Sequence, residues 1–145
     1  NAMHMITDQL LVGNIDDAQQ PPAVVGTLLL VAEELAVTPA PWMDYRHIPF
    51  REFAKADPAK LMEAVQWLES RASTERKLVC CRAGMGRSVS VVMAYLCCVE
   101  GKSYDEVLKL VMIRHPGAMP LPNLQVAIEQ VRQLRRSKSS RHAGS

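Results

Sequence analysis

The chain holds four cysteines, in two adjacent pairs, Cys80-Cys81 and Cys97-Cys98. The first pair runs straight into Arg82-Ala83-Gly84-Met85-Gly86-Arg87-Ser88, which places a nucleophile six positions before an arginine with two glycines between them. Leu78-Val79-Cys80 ahead of it reads as a buried strand. Val89-Ser90-Val91-Val92-Met93-Ala94-Tyr95-Leu96-Cys97-Cys98-Val99 behind it is apolar nearly all round, the pattern of a buried helix. A tight loop from strand to helix puts unpartnered backbone N–H groups and the positive end of the helix dipole at one point, which is an anion site. Gly84 and Gly86 let the backbone close around the anion, while the planar fork of Arg87 grips two oxygens of a phosphate. Arg82, Ala83, Gly84, Met85 and Gly86 supply the cradle.

The same surroundings act on Cys81. A thiol at a helix N-terminus beside an arginine gives up its proton more readily than a free thiol, whose pKa is about 8.5. A thiolate held against a bound phosphate can take the phosphoryl group. That transfer depends on positioning and charge stabilisation, and it would leave a thiophosphate on Cys81 that water later splits.

With these residues the chain resembles the cysteine-dependent protein tyrosine phosphatases. Cys81 to Arg87 is their C-x5-R signature, and Cys81-Arg82-Ala83-Gly84-Met85-Gly86-Arg87-Ser88 running into Ala94-Tyr95-Leu96 is similar to the dual-specificity branch. The resemblance implies Cys81 as nucleophile, Arg87 as phosphate clamp and Ser88 as the hydroxyl that eases departure of the thiolate. It covers roughly residues 6–134, and it implies a central, mostly parallel sheet flanked by helices. One position departs from the family: Cys80 stands where a histidine usually precedes the nucleophile.

Composition narrows the partners. A net charge of +2 on 145 residues gives no reason to expect nucleic acid or an anionic membrane. No apolar run reaches the ~20 residues of a membrane helix, and no signal-peptide pattern opens the chain. Paired neighbouring cysteines form neither a disulfide framework nor zinc-ligand spacing, so a reducing compartment, the cytoplasm, is expected, with no metal and no other cofactor. The expected partner is a phosphorylated protein or peptide substrate, and the expected state is a monomer. Asn1-Ala2 before Met3 reads as a cleavage scar, giving an N-terminal extension over 1–5, one catalytic domain over 6–134 and a solvated basic, polar tail over 135–145.

The positioning elements follow in an α/β order. Residues 6–14 read as a strand ending in a Gly-Asn turn, with a short helix around Asp16-Asp17-Ala18. Val25 to Ala32, with Leu28-Leu29-Leu30-Val31 at its heart, is a strand buried on both faces, and Tyr45 to Pro49 is a third strand. Asp57-Pro58 is a helix start with Leu61, Met62, Val65 and Leu68 facing inward. Tyr104 to Arg114 is a helix with Ser103 and Glu106 as its capping box, and Asn123 to Leu134 is the last helix.

A leaving alkoxide calls for a proton donor. The family places an aspartate after its third strand, and counting from Ile48-Pro49 the acid falls on Glu52, 29 positions before Cys81. Asp57 is the runner-up and already reads as a helix cap. Asp44 sits at the wrong end of the third strand. Asn123 matches a family asparagine that steadies the phosphate loop, or is simply a helix cap. His47 reads as structural, His115 as a helix-end residue that suits the dipole, and Cys97 and Cys98 as helix core. Cys80 as a partner for oxidised Cys81 is disfavoured, because neighbouring cysteines make strained disulfides. Met85 within the loop, with Arg82 as its one extra cation, argues against multiply charged substrates. Alternatives are a phosphate-binding module that turns over poorly, a phosphatase for a non-protein ester, and a sulfur-transfer or arsenate-reducing enzyme.

Overall fold

The computed structural model describes residues 3–71 and 74–143, so Asn1-Ala2, read above as a cleavage scar, and the last two tail residues lie outside it. The described residues form ten elements. These are β1 (His4–Met5), β2 (Leu10–Gly13), α1 (Ile15–Gln19), β3 (Val25–Leu30), β4 (Asp44–His47), α2 (Pro58–Glu69), β5 (Arg76–Cys80), α3 (Arg87–Cys98), α4 (Tyr104–Arg114) and α5 (Leu124–Ala143). The strands form one sheet in the order β1-β2-β5-β3-β4, in which only the β1–β2 pair is antiparallel. The fold is thus the mostly parallel α/β sheet with helices that the family resemblance implied.

The sheet puts β5 at its centre. Cys80 is in register with Gly13 of β2 and Leu30 of β3, so three strands end together beneath the loop from Cys81 to Arg87. In open α/β sheets ligands collect at the carboxyl ends of the strands. α3 packs on β5 and β2 and is covered in turn by α2, α4 and α5, which is why it is apolar all round. Residues Arg87 to Ala94 are all buried, as are Leu96 and Cys97.

Several boundaries differ from the sequence reading for local reasons. The first strand is not continuous over 6–14. Thr7 Oγ1 accepts from the backbone N–H of Gln9 and Leu10, and Ile6 N–H donates to Leu10 O, so Thr7-Asp8-Gln9 turns the chain and His4–Met5 returns as an extra edge strand. The third strand is Asp44–His47, and Asp44 at its start holds Arg71 by two hydrogen bonds of 2.8 and 2.9 Å, far from the loop. The basic tail expected from residue 135 is instead helical to Ala143. Arg, Ser and Lys do not break a helix, no Gly or Pro occurs from Leu124 to Ala143, and Arg135 clamps both carboxylate oxygens of Glu69 on α2 at 3.0 Å.

Two caps match expectation. Asp57 Oδ1 accepts from Ala59 N–H with Pro58 at the first helical position. Ser103 and Glu106 form the reciprocal capping box of α4.

Candidate active site

Cys81 leaves the end of β5 with its backbone N–H on Gly13 O, and Ser88 in the first turn of α3 turns back beneath it, Oγ 3.2 Å from Cys81 Sγ. Both are buried. Gly86 occupies the N-cap of α3 and offers no side-chain cap, so the helix N-terminus stays open toward the loop.

The loop backbone is held inside out. Three successive carbonyls accept hydrogen bonds from the surrounding structure. His115 Nε2 lies 2.7 Å from Gly84 O, Met119 N–H donates to Met85 O at 2.7 Å, and Ser90 Oγ–H donates to Gly86 O at 2.7 Å. In a trans peptide the carbonyl and the following N–H point in opposite directions. Turning these three carbonyls outward therefore turns the N–H groups of Met85, Gly86 and Arg87 inward, and none of the three has a partner among the described residues. Gly84 makes the curve possible. Its φ is +70°, and a Cβ there would sit 2.8 Å from the backbone C and O of Gly13.

Arg87 is 2% exposed and is fixed on one side only. Nη1 donates to Glu34 Oε1 at 2.6 Å and to Phe50 O at 3.1 Å, and Nη2 donates to Glu34 Oε2 at 2.8 Å. Nε–H and the second N–H of Nη2 make no hydrogen bond among the described residues, and they form the fork that Arg87 presents to an oxyanion. The guanidinium holds the Glu34 carboxyl down at about 2, its hydrogen bonds outweighing the opposing effect of burial. Glu34 in turn pulls the Arg87 pKa up against desolvation.

Glu34 was not singled out in the sequence. The available signal was a pair of acids, Glu33-Glu34, just past the carboxyl end of a buried parallel strand. The segment is tied down by Val31 N–H on Cys80 O, Glu33 N–H on Phe50 O and His47 Nε2–H on Ala32 O at 2.8 Å, the structural role expected of His47.

The other sequence candidates separate cleanly. A cleft of about 430 Å³ is lined by Cys81, Ala83, Met85, Gly86 and Arg87 on one side. Glu52, Phe53 and the segment Met119-Pro120-Leu121-Pro122 line the other. Glu52 Oε2 stands 3.9 Å from Arg87 Nη2, so the loop after β4 brings this carboxylate into the cleft that Cys81 also lines. Asp57 does not line the cleft. It caps α2 and borders a separate depression with Arg51, Lys55 and Lys60.

Arg82, expected in the cradle, is instead turned to Glu34 Oε2 at 3.2 Å and does not line the cleft. Gly84 shapes the loop from beneath rather than lining the cleft. Asn123 is exposed with φ +65°, and its side chain makes no hydrogen bond among the described residues. Its carbonyl accepts from Ala127 N–H, which makes it the backbone start of α5 and not a brace for the loop. His115, Met119 and Ser90 hold the loop in its place. Cys80 is fully buried, and burial pushes its thiol well up, which removes it from exchange chemistry. Cys97 is core, its thiol raised to about 11 by burial. Among the described residues no cluster of His, Cys, Asp and Glu is fit to hold a metal ion.

A cysteine and an arginine at the two ends of an open amide cradle, on a parallel α/β sheet, define a cysteine-based phosphate-transfer fold. The model of the dual specificity phosphatase catalytic domain matches residues 31–138, and the chain belongs to that family. It is 27% identical over 137 residues to rat dual specificity protein phosphatase 15, covering 90% of this chain and 57% of that protein. Over a shorter stretch of 78 residues it is 35% identical to Drosophila melanogaster dual specificity protein phosphatase Mpk3, covering 52% of this chain and 19% of that one. The chain thus spans little more than half the length of the first of these relatives. Among solved structures it superposes on human DUSP28 with a TM-score of 0.79 at 22% identity, covering 94% of this chain and 96% of that one. Tk-PTP in its active form gives a TM-score of 0.77 at 19% identity, with 91% and 97% covered.

Proposed function

We propose that this protein is a phosphoric monoester hydrolase of the dual-specificity type, acting on phosphorylated proteins through a cysteinyl-phosphate intermediate. One observation carries the reading. Cys81 Sγ, three inward loop N–H groups and the unused edge of Arg87 converge on one cleft that Glu52 also lines.

The phosphate sits with its oxygens on the loop amides and on Nε and Nη2 of Arg87, which also stabilise the charge spread over those oxygens as the phosphoryl group transfers. The Cys81 thiolate attacks phosphorus in line. The S–P bond forms, the P–O bond to the substrate breaks, and Glu52 gives its proton to the leaving oxygen. Water, deprotonated by the same carboxylate, then attacks phosphorus. The S–P bond breaks, and the thiolate leaves with the Ser88 hydroxyl 3.2 Å away to receive its charge.

The apolar rim of Phe53, Met85, Met119 and Leu121 supports an ester whose alcohol is not itself highly charged. Four cysteines of which one must stay a thiol support a reducing compartment, the cytoplasm. The test is vanadate-sensitive hydrolysis of a panel of phosphotyrosine peptide, phosphoserine peptide and phosphoinositide, with Cys81→Ser as control. Turnover of the peptides that Cys81→Ser abolishes supports the proposal. Oxyanion binding without turnover would make the protein a phosphate-binding module.

A further inference from the structure

We propose that His115 is a positioning residue of the phosphate loop, setting the Gly84–Met85 peptide so that the Met85 N–H faces the bound phosphate. This rests on the phosphatase reading and adds to it a residue far from the loop in sequence.

His115 closes α4, is 5% exposed, and reaches 31 positions back in the chain to place Nε2 2.7 Å from Gly84 O. A carbonyl only accepts, so Nε2 carries the proton and fixes the tautomer. Nδ1 is buried with no partner among the described residues. The ring lies flat on His4 of β1, with centroids 3.8 Å apart and planes 12° apart. A buried ring that leaves one nitrogen unsatisfied in order to satisfy one loop carbonyl is oriented by that carbonyl. Gly84 is the residue that most needs holding. At φ +70° it takes a backbone conformation that glycine adopts readily and other residues do not, and its Cα faces the Gly13 backbone with no room for a Cβ. The neighbouring carbonyls of Met85 and Gly86 have braces of their own, whereas that of Gly84 has His115 as its one partner among the described residues. The position before the nucleophile, where the family usually has histidine, offers only the buried Cys80.

The experiment compares His115→Phe, which keeps a ring to stack on His4 but has no donor, with His115→Gln, whose amide N–H falls near the place of Nε2. Hydrolysis of an aryl phosphate and inhibition by vanadate are measured beside thermal melts. Losing one hydrogen bond on the loop carbonyl is expected to lower kcat/KM and vanadate affinity together by about tenfold in His115→Phe. His115→Gln is expected to stay within about threefold of the unaltered protein in both. Equal vanadate affinity in His115→Phe and the unaltered protein overturns the proposal, and so does an equal loss in both variants. Should His115→Phe not fold, long-range 15N NMR of the unaltered protein decides, since an Nδ1–H tautomer is incompatible with the contact to Gly84. An unaltered protein that neither turns over the ester nor binds vanadate sinks the phosphatase reading itself, and this proposal with it.

Discussion

Replacing Glu34 by Gln removes a charge from the site and keeps the shape. Both short carboxylate contacts of Arg87, at 2.6 and 2.8 Å, go to Glu34, and the next carboxylate, Glu52, stands off at 3.9 Å. Gln can present one carbonyl oxygen to the guanidinium, but its amide then faces the other Nη, donor against donor. The Glu34 carboxyl titrates at about 2 instead of 4.5. At ~1.4 kcal/mol per pH unit that difference corresponds to about 3 kcal/mol. The side chain is 28% exposed, and screening by solvent brings the figure to about 2 kcal/mol.

The folded-state value lies below the unfolded one, so this stabilisation is complete above pH 4.5 and is lost as pH falls through about 2. Glu34→Gln should therefore melt about 4–8 °C below the unaltered protein near neutrality. The gap should shrink below pH 4.5 and close near pH 2. Since a guanidinium misplaced by an ångström can cost about a hundredfold, kcat/KM for an aryl phosphate should fall ten- to a hundredfold. Thermal melts taken across that pH range, with turnover measured near neutrality, test both parts. Equal melting at neutral pH, or a gap that stays constant down to pH 3, would refute the claim that this carboxylate anchors the clamp.

Glu52→Gln should slow turnover of an alkyl phosphate ester by about a hundredfold and that of a nitrophenyl ester much less, because only the poor leaving group needs the proton. Asp57→Asn should leave both rates alone, whereas Asp57→Ala should cost about 1 kcal/mol of stability through the lost cap. The reverse order in the kinetics would move the acid to Asp57. Gly84→Ala should destabilise the fold by at least about 2 kcal/mol and abolish vanadate binding, since a Cβ at φ +70° meets the Gly13 backbone at 2.8 Å. A variant with normal melting and normal inhibition would mean that the loop has room the structure does not show.

What could be read from the chain alone follows from range. The nucleophile, the clamp, the serine and the glycines lie within eight consecutive residues, so a local pattern of apolar strand, glycine loop and apolar helix exposed them together. The caps at Asp57 and Ser103 were legible for the same reason, since a side chain and an N–H two or three residues on make a complete interaction. Glu34 and His115 were not. Glu34 reaches Arg87 only because β3 and β5 are neighbours in the sheet, 53 positions apart in sequence at the contact. His115 reaches Gly84 only because α4 ends beside the loop.

Arg82 and Asn123 show the converse. Both looked functional by position. The Glu34 carboxylate, from the turn beyond β3, claimed the first, and the start of a helix used the backbone of the second. The residues proposed to bind the phosphate are thus local, and those proposed to aim them are distant. Variants within the loop should abolish turnover outright, whereas variants at Glu34 and His115 should lower it in proportion to the hydrogen bond removed.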